Sequence, residues 1–533
     1  MRCFLPMIKA AYISEISIMK KLLPVLLLLA CLNTLFAQQS KTVTAPFPVR
    51  GFHLDLRIQV MTMPALKDFA LKLKQHGMNT LVMEWEGTYP FEKHPLIPNR
   101  YAYSKQEIKN FIKYCDSLGI DVIPLQQSFG HVEYILRHER YKKLREDQKD
   151  VSQVCPLETD GDKALFTDLY TELATMHTSK YIHIGGDETY LLGHDAKCKA
   201  KAEKEGKSKL YTDYIKMLCD IVIKLGKRPV LWADIALKHP EAIKSLPKET
   251  VFVDWNYGWD LSHFGDHQKL MESGFEIWGS PALRSSPDNY NLTQWEKHFK
   301  NIRDFIPAAA RLGYKGMIMT SWSTSGQYSS VYESEADVAE LYAIRHVYPL
   351  SGFNISIAAY FEALKGKHPL DINLFVYKYA EEQFGFDKAG ASSFWEALKA
   401  SPYEIQQGEV ISPTPMSIPQ LLDSCTAAQQ KLYALKPIKN QQEFEHFKLM
   451  ADIRVYYLTY QLIEKQVNQP SFNEAQKPAV IGKLKQLLTG SKSLDERFAK
   501  LNKDFLNPSA IEEENQLRNM KVIGLFDRLS GNK

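Results

Sequence analysis

Two adjacent acids, Asp187 and Glu188, stand where a short apolar run meets a pair of glycines. Residues 181–184 have the apolar character of a buried strand. Gly185 and Gly186 then allow a sharp turn and the close approach of another group. In a parallel α/β barrel, carboxylates at the C-terminal tip of a strand lie on the active-site face. The alternative is that one of the acids only caps the following helix.

The adjacency of the two acids restricts the chemistry that they can perform. Ordinary glycoside hydrolysis uses two carboxyl groups about 5–10 Å apart across the scissile bond, which sequence neighbours do not easily provide. Neighbouring acids suit a 2-acetamido sugar, because its own carbonyl oxygen attacks the anomeric carbon. Asp187 would then orient the amide N–H, and Glu188, with its longer side chain, would protonate the leaving oxygen. For that role we expect burial beside a second acid to raise the pKa of Glu188.

Eight short apolar runs alternate with helical stretches, which is the pattern of βα units around a parallel sheet. The predicted strands are 51–57, 79–85, 121–126, 181–185, 229–234, 251–255, 275–280 and 316–322. Apolar residues recur at helical spacing over 64–76, 105–118 and 212–225. This pattern predicts an α/β fold, a (β/α)8 TIM barrel. A doubly wound sheet is the alternative, but it needs a glycine-rich loop after the first strand, and residues 51–54 offer none.

Acids and tryptophans collect at the predicted C-terminal ends of these strands. The tryptophans at strand ends are Trp85, Trp232, Trp255 and Trp322. Tryptophan is usually a plain core residue, but flat aromatic rings at the active-site face of a barrel also suit stacking on a sugar. Their concentration at one end of the sheet favours a carbohydrate pocket.

The length of 533 residues predicts more than one domain. We divide the chain into a signal peptide at 1–37, a polar linker at 38–49, a catalytic barrel at 50–345 and a helical C-terminal domain at 346–533. In the last of these, apolar residues recur at helical spacing over 449–463 and 479–505. We expect those residues to form a helix–helix core.

The N-terminus has the pattern of an export signal. Lys20 and Lys21 precede an apolar run at 22–30, and Met19 is a better start than Met1. Cleavage after Ala37 would deliver the mature chain to the periplasm, the cell surface or the medium. A lipoprotein anchored through Cys31 is the alternative, because residues 28–31 resemble a lipobox. The apolar run is too short for a transmembrane span, and the sequence offers no second candidate.

The composition is that of a globular protein, with 45% hydrophobic residues, 24% charged residues and a net charge of +4. No basic stripe points to nucleic acid. The cysteines beyond the leader form no Cys-x-x-Cys pair, which argues against a zinc site or a disulfide framework, although one bridge is compatible with export. These cysteines are Cys115, Cys155, Cys198, Cys219 and Cys425. We expect no metal and no cofactor. The oligomeric state does not follow from the sequence, and a dimer is compatible with it.

The segment His-Ile-Gly-Gly-Asp-Glu at 183–188 resembles the His-x-Gly-Gly-Asp-Glu signature of family 20 glycoside hydrolases, the β-N-acetylhexosaminidases. The Arg-Gly start of 50–55 and the segment 122–131, which ends in Gly-His, resemble the same family in the same order. Residues 124–133 and 190–193 look closest to the hexosaminidase D-like branch. The resemblance covers residues 50 to about 335.

The resemblance implies roles for individual residues. Asp187 and Glu188 keep the acetamide-orienting and acid/base roles. Arg50, rather than Arg57, holds the ring hydroxyls, and His131 supports the site by pairing with the aspartate of the first strand, Asp55. The wall of the sugar site is formed by Trp232, Trp255 and Trp322.

Three departures from the family pattern concern sugar recognition. Gln127 stands where most members carry an acid before the Gly-His pair, and Ser323-Thr324 follow Trp322 where most members have Trp-x-Glu. Residues 281–283 lack the tyrosine that holds the acetamide oxygen in most members. The replacements that the sequence offers are Tyr257 or Tyr290 for the tyrosine and Glu86 or Glu333 for the acid.

The expected function is that of an exo-β-N-acetylhexosaminidase, acting on a carbohydrate substrate by substrate-assisted, retaining hydrolysis. Two alternatives stay open. One is a catalytically inactive barrel that binds glycans. The other is a barrel glycosidase with a conventional carboxylate nucleophile, in which Glu84 or Glu86 acts with Glu188.

Overall fold

The computed structural model describes residues 47–531, with gaps at 239–241, 285–292, 324–327, 333–337, 344–346, 367, 401–403, 407–408 and 413–414. Several predictions fall outside the described residues. They concern the leader with Met19 and Cys31, the linker up to residue 46, and the candidates Tyr290 and Glu333.

Eight parallel strands close into a barrel in chain order, with β1 paired to both β2 and β8. The strands are β1 Val49–Asp55, β2 Thr80–Glu84, β3 Asp121–Leu125, β4 Tyr181–His183, β5 Arg228–Trp232, β6 Val251–Asn256, β7 Glu276–Pro281 and β8 Gly316–Met319. Each predicted strand is present, and the TIM-barrel prediction is confirmed.

The helices that follow the strands surround the barrel. They are α1 Met63–Gln75, α2 Lys105–Leu118, α3 Glu133–Leu136, α4 Thr159–Met176, α5 Ala196–Glu205, α6 Lys207–Lys224, α7 Asp234–Lys238, α8 His267–Glu272 and α9 Trp295–Leu312. Short 3-10 turns lie at Glu86–Thr88, Glu139–Leu144, Ala242–Ser245 and Leu350–Gly352.

Helix α2 shows how local sequence sets these elements. Ser104 and Glu107 form a reciprocal capping box at its start, and Gly119 ends it in the left-handed conformation. Ile108 and Phe111, two of the apolar residues that predicted this helix, are fully buried. The helical spacing in the sequence therefore marks the face that packs on the strands.

The chain beyond residue 353 is mainly helical, as predicted. Its helices are α10 Asn354–Lys365, α11 Ile372–Tyr379, α12 Lys388–Lys399, α13 Ile418–Ala434, α14 Gln441–Val467, α15 Lys477–Asn502 and α16 Pro508–Ser530, with a π turn at Ala380–Phe384. Two small antiparallel pairs join β9 Tyr328–Tyr332 to β10 Val338–Ala343 and β11 Glu404–Gln406 to β12 Glu409–Ile411.

The helical region is bonded directly to the barrel. Tyr360 Oη of α10 lies 2.8 Å from Gly51 O and 2.9 Å from Met317 O, at the seam between β1 and β8. Gln59 Nε2 donates to Glu514 Oε1 of α16 at 3.2 Å. Phe47–Lys533 form one compact unit. The proposed boundary at 345–346 falls within the undescribed residues 344–346 and stays a prediction.

The barrel lumen is closed by a buried apolar cluster. Aliphatic side chains of five strands, including Val82, Ile123 and Val230, pack there together with Trp232 and Trp255. Trp232 and Trp255 lie toward the C-terminal ends of β5 and β6, so the pocket on that face has an apolar base. In the described part of the chain, we find no helix with the length and apolar character needed to cross a membrane.

Candidate active site

The turn after β4 requires both of its glycines. Gly185 and Gly186 have φ angles of 72° and 91°, which side chains with a Cβ rarely adopt. A Cβ on Gly185 would also lie 1.9 Å from Gln127 Oε1. Tyr211 Oη donates to Gly186 O at 2.8 Å and holds the turn in place. The backbone is thereby forced to present the next two residues on the C-terminal face.

The two acids that follow this turn do not cap a helix. The next helix, α5, starts at Ala196, and its N-cap is Asp195, whose side chain accepts from Lys197 N. The capping alternative for Asp187 and Glu188 is therefore wrong, and their carboxylates are left to act at the mouth of the barrel.

One imidazole contacts both acids. His131 Nε2 lies 3.5 Å from Asp187 Oδ2 and 3.1 Å from Glu188 Oε2. Gly130 makes this contact possible, because a Cβ there would lie 2.6 Å from Asp187 O. Burial alone would lower the pKa of His131, but the two adjacent carboxylates raise it well above its ordinary value. His131 is therefore an imidazolium at neutral pH.

The pKa of Glu188 corrects an expectation. Burial pushes it upward, but the hydrogen bond and charge of His131 outweigh burial and leave the pKa below its ordinary value. Tyr190 Oη, which donates to Glu188 Oε1 at 3.0 Å, acts in the same direction. The prediction of a raised pKa for Glu188 is wrong, because the sequence did not reveal that a cation would touch the carboxylate.

A third acid, Asp234 at the start of α7, lies behind the pair. Its Oδ2 is 3.5 Å from the backbone nitrogen of Glu188. The pKa of Asp234 is raised to about 7, mainly by burial and secondly by the negative charge of Asp187. The sequence placed Asp234 at a strand end, but no role was assigned to it. Its proximity to Glu188 follows from the barrel closing β4 against β5.

The predicted aromatic wall exists, with one exception. Trp232, Trp255, Tyr257 and Trp322 belong to one cluster at the barrel mouth. Trp322 Nε1 donates to Tyr257 Oη at 2.8 Å, and the rings of Trp232 and Trp322 are 5.8 Å apart. Trp85 is not part of the wall. Its Nε1 donates to His177 at 3.1 Å, and its ring packs on Phe111 of α2, outside the lumen.

The position of Arg50 contradicts its predicted role. It lies at the N-terminal end of β1, where its guanidinium donates to Gly77 O at 3.0 Å and Phe47 O at 2.7 Å. A strand rises about 3.3 Å per residue, so a side chain that starts there cannot reach the opposite mouth. The structure does not bring Arg50 to the site.

Arg57, which follows β1, is the arginine at the site. Its guanidinium donates to Asp55 Oδ1 at 3.0 Å and to Glu84 Oε1 at 2.7 Å, and lies 5.6 Å from the centre of the Trp322 ring. The second oxygen of Asp55 accepts from the backbone and hydroxyl of Ser323. The predicted pairing of His131 with Asp55 is therefore wrong, because Arg57 and Ser323 occupy that carboxylate.

Two buried glutamates beside Arg57 have their pKa values shifted in opposite directions. Burial opposes ionisation of Glu84, but Arg57 and His53 lower its pKa to about 2. Glu86, with its Oε1 3.5 Å from Arg57, has its pKa raised well above the ordinary value, first by burial and further by neighbouring acids. Glu86 also has a φ of 45°, unusual for a residue with a Cβ. Glu86, one of the two predicted replacements for the missing acid, lies beside Arg57, and the other, Glu333, is outside the described residues.

The group of potential metal ligands found in the described residues lies away from this pocket. It consists of Glu146, Cys155 and Cys198, all buried, with ligand atoms within 4.8 Å of one another.

Comparison with known proteins agrees with this geometry. Residues 52–340 match the family described as glycosyl hydrolase family 20, catalytic domain. Hexosaminidase D of Bos taurus is 28% identical over 302 residues, covering 54% of this chain and 87% of the relative. Hexosaminidase D of Homo sapiens is 28% identical over 346 residues, covering 62% and 71% respectively.

A solved structure of a β-N-acetylhexosaminidase from Bacteroides fragilis NCTC 9343 is also similar, with 18% identity and a TM-score of 0.47. The superposed part covers 63% of this chain and 70% of the other chain. The TM-score is too low for this structure to contribute to the family assignment. The match at 52–340 spans more than half of the chain and contains the carboxylate pair, the imidazole and the aromatic wall. The chain therefore belongs to glycosyl hydrolase family 20 and is a glycoside hydrolase.

Proposed function

We propose that the protein is an exo-β-N-acetylhexosaminidase that removes terminal β-linked N-acetylhexosamine by substrate-assisted, retaining hydrolysis. The observation that carries the proposal is the placement of Asp187 and Glu188 on one strand end, both in contact with His131. Two carboxylates so close cannot flank a glycosidic bond as acid and nucleophile. A substrate that supplies its own nucleophile does not need a second carboxylate on the opposite side of the glycosidic bond.

In the first step the acetamido oxygen attacks the anomeric carbon, and the bond from that carbon to the leaving oxygen breaks. Glu188 gives its proton to the leaving oxygen, while Asp187 accepts the amide N–H and balances the positive charge of the oxazolinium ion. In the second step water attacks the same carbon, Glu188 takes a proton from it, and the acetamide is restored. Two inversions at one carbon give retention.

The charge state of the site supports a source for the first proton. His131 carries a proton 3.1 Å from an ionised Glu188 oxygen. Transfer across this contact turns Glu188 into the acid that the leaving oxygen needs. His131 and Glu188 therefore hold the catalytic proton together, and we assign His131 as the positioning and proton-sharing partner of the acid.

Sugar recognition is proposed on the other side of the pocket. The partly exposed ring of Trp322 stacks on the sugar, the buried rings of Trp232 and Trp255 form the apolar base behind it, and Tyr257, with its hydroxyl beside Trp322 Nε1, takes the acetamide oxygen. Arg57 and Glu86 reach the ring hydroxyls in place of Arg50.

The contacts of Glu84 and the raised pKa of Glu86 argue against the conventional-nucleophile alternative. Glu84 accepts from Arg57 and Gln127 at Oε1 and contacts His53 Nε2 at Oε2, so both oxygens are engaged. Burial raises the pKa of Glu86 well above its ordinary value, which favours the protonated form and makes it a poor nucleophile.

The proposal is tested with the 4-nitrophenyl β-glycosides of N-acetylglucosamine and N-acetylgalactosamine. Asp187→Ala and Glu188→Gln should each lower kcat by about 100-fold or more, and Glu139→Gln, on an exposed turn, is the matched control. A thiazoline that mimics the oxazolinium ion should inhibit the wild type. Sugar binding without turnover would favour the inactive-barrel alternative. Turnover that the thiazoline does not inhibit would favour a nucleophile on the protein.

Export of the protein is a separate proposal, supported by the charged and apolar pattern at 19–37. Mass measurement of the protein from its native host should give a chain starting near Gln38. A fatty-acylated chain starting at Cys31 would support the lipoprotein alternative, and an intact leader would contradict export.

A further inference from the structure

Two buried cysteines face each other behind the catalytic loop. Cys155 Sγ and Cys198 Sγ lie 3.2 Å apart, and both residues are at most 2% exposed. Cys198 lies near the start of α5. Cys155 directly follows a loop whose two ends, Arg145 and Val154, pair through an antiparallel β-bridge. A disulfide has an S–S length of about 2.05 Å, so closure needs a movement of about 1 Å.

The pair brackets the catalytic residues in sequence. The 43-residue separation between the two cysteines includes β4 and both catalytic acids. Hydrogen bonds already tie the two sides together. Glu146 Oε1 accepts from the backbone nitrogens of Gly193, His194 and Asp195 at 2.8–3.1 Å. Gln153 Oε1 accepts from Leu191 N at 3.0 Å. The segment that carries Cys155 is thus the support on which the loop after Glu188 rests.

We propose that Cys155 and Cys198 form a disulfide in the exported protein, which rests on the proposed export. The two thiols lose two protons and two electrons, and one S–S bond forms. The electrons pass to the disulfide of a thiol–disulfide oxidoreductase, which is reduced to its dithiol. Because both sulfurs are buried in the folded chain, the bond forms while the chain folds. Such bonds persist in oxidising compartments.

A metal ion held by the same residues fits the geometry less well. Glu146 is the third buried member of this group. Two thiolates on one tetrahedral zinc ion, with Zn–S bonds of about 2.3 Å, would lie about 3.8 Å apart, which is wider than the observed pair. Glu146 Oε1 already accepts three backbone N–H groups, so only Oε2 of this carboxylate would be open to a metal ion. Three protein ligands are also fewer than a structural zinc site uses.

The disulfide would stabilise the protein in two ways, by restricting the unfolded chain and by making the support of the catalytic loop more rigid. Closing a long loop removes conformational freedom from the unfolded chain, and the gain rises with loop length. In the folded chain, the bond would anchor α5 to the segment that fixes residues 191–195. The bonded protein should therefore keep its activity at higher temperature than the reduced protein, with the same pH optimum.

For the test, the full chain is expressed with its own leader, and the exported protein is collected. It is then denatured in the presence of a maleimide reagent, which labels free thiols. The mature chain has five cysteines, of which three should react before reduction and all five after it. Peptide mapping should show residues 155 and 198 linked. Dithiothreitol should lower the midpoint of thermal unfolding by roughly 3–4 °C. Cys155→Ser/Cys198→Ser should lack this response, and Cys115→Ser, at a buried position in α2, should keep it.

A second arm separates the pairing from export. Reduced protein is refolded with oxidised glutathione and mapped in the same way. A 155–198 link in this arm, with five free thiols in the exported protein, would uphold the pairing and overturn export into an oxidising compartment. Five free thiols in both arms would overturn the disulfide. So would one zinc ion per chain released on unfolding, which would assign the cluster as a metal site.

Discussion

At the scale of single residues, the site is controlled by one imidazolium between two carboxylates. At about 4 Å and an effective dielectric constant of about 20, two opposite charges attract by about 4 kcal/mol. His131 has two such partners, which is why their charges exceed the cost of burying its ring. The same attraction keeps Glu188 ionised until the proton crosses to it.

This arrangement predicts the pH dependence of a His131→Gln variant. In the wild type, the raised pKa of His131 means that the shared proton is lost only as pH rises well above 6.5. The alkaline limb of kcat/KM should therefore lie above neutrality. Without the imidazole, Glu188 holds the proton alone, so the limb should move to lower pH and kcat should fall by about 100-fold.

The pH–rate profiles of wild type and His131→Gln, measured with a 4-nitrophenyl substrate, check this prediction. Unfolding curves at each pH serve as the control for stability. An alkaline limb at the same pH in both proteins would show that His131 does not share the catalytic proton.

Arg50, at the start of β1, and Arg57, just after its end, provide a matched pair for testing sugar recognition. Arg57→Lys keeps the charge but loses the planar fork that contacts Asp55 and Glu84, so kcat/KM should fall by about 10-fold or more. Arg50→Lys, at the opposite end of the barrel, should stay within about twofold of wild type. Equal losses in the two variants would restore Arg50 to the site.

At the scale of elements, strand ends and turns decide what reaches the pocket. The alternation of apolar runs and helical stretches was enough to predict eight strands and the face that carries Asp187 and Glu188. The resemblance to the family, and not this alternation, led to the choice of Arg50 over Arg57, although the predicted strand 51–57 already ended at Arg57. The contact between His131 and Glu188 could not be predicted, because it joins loops after two different strands, and the pKa of Glu188 depends on it.

Glycines at the turn after β4 give a prediction at this scale. Gly185→Ala introduces a residue at a positive φ and a Cβ on top of Gln127, so the turn must shift and the acids with it. Activity should fall by about 100-fold or more. Gly226→Ala is the control, because Gly226 has a similar φ of 73° and no atom near its Cβ position.

The control should lose only the backbone cost of about 1–2 kcal/mol in the free energy of unfolding, with kcat unchanged. Both quantities come from urea unfolding and steady-state kinetics on the same preparations. Equal activity losses would mean that the backbone conformation alone, and not the contact with Gln127, sets the position of the acids.

At the scale of the whole molecule, the helical region closes the barrel as well as covering it. Tyr360 Oη binds carbonyls of β1 and β8, the two strands whose pairing completes the sheet. The sequence predicted helices beyond residue 346, but not this link, because nothing local to Tyr360 indicates a partner about 300 residues away. Such long-range hydrogen bonds make barrel and helices one compact unit.

Removing that hydroxyl should weaken both parts together. Tyr360→Phe removes the one O–H donor that the carbonyls of Gly51 and Met317 share, and should cost about 1–3 kcal/mol in the free energy of unfolding. Tyr377→Phe, at a partly exposed position of α11, should cost less than about 0.5 kcal/mol. Fluorescence and circular dichroism should report one shared transition. A helical region that melts separately in Tyr360→Phe would contradict a structural role in closing the barrel.

The most direct measurement of the central claim uses substrates whose N-acetyl group carries zero, one, two or three fluorine atoms. Fluorine weakens the carbonyl oxygen as a nucleophile, so if that oxygen attacks the anomeric carbon, kcat/KM should fall progressively, by about 100-fold or more across the series. Asp187→Ala should be slow on every member. A kcat/KM that stays constant across the fluorine series would contradict substrate assistance and place the nucleophile on the protein.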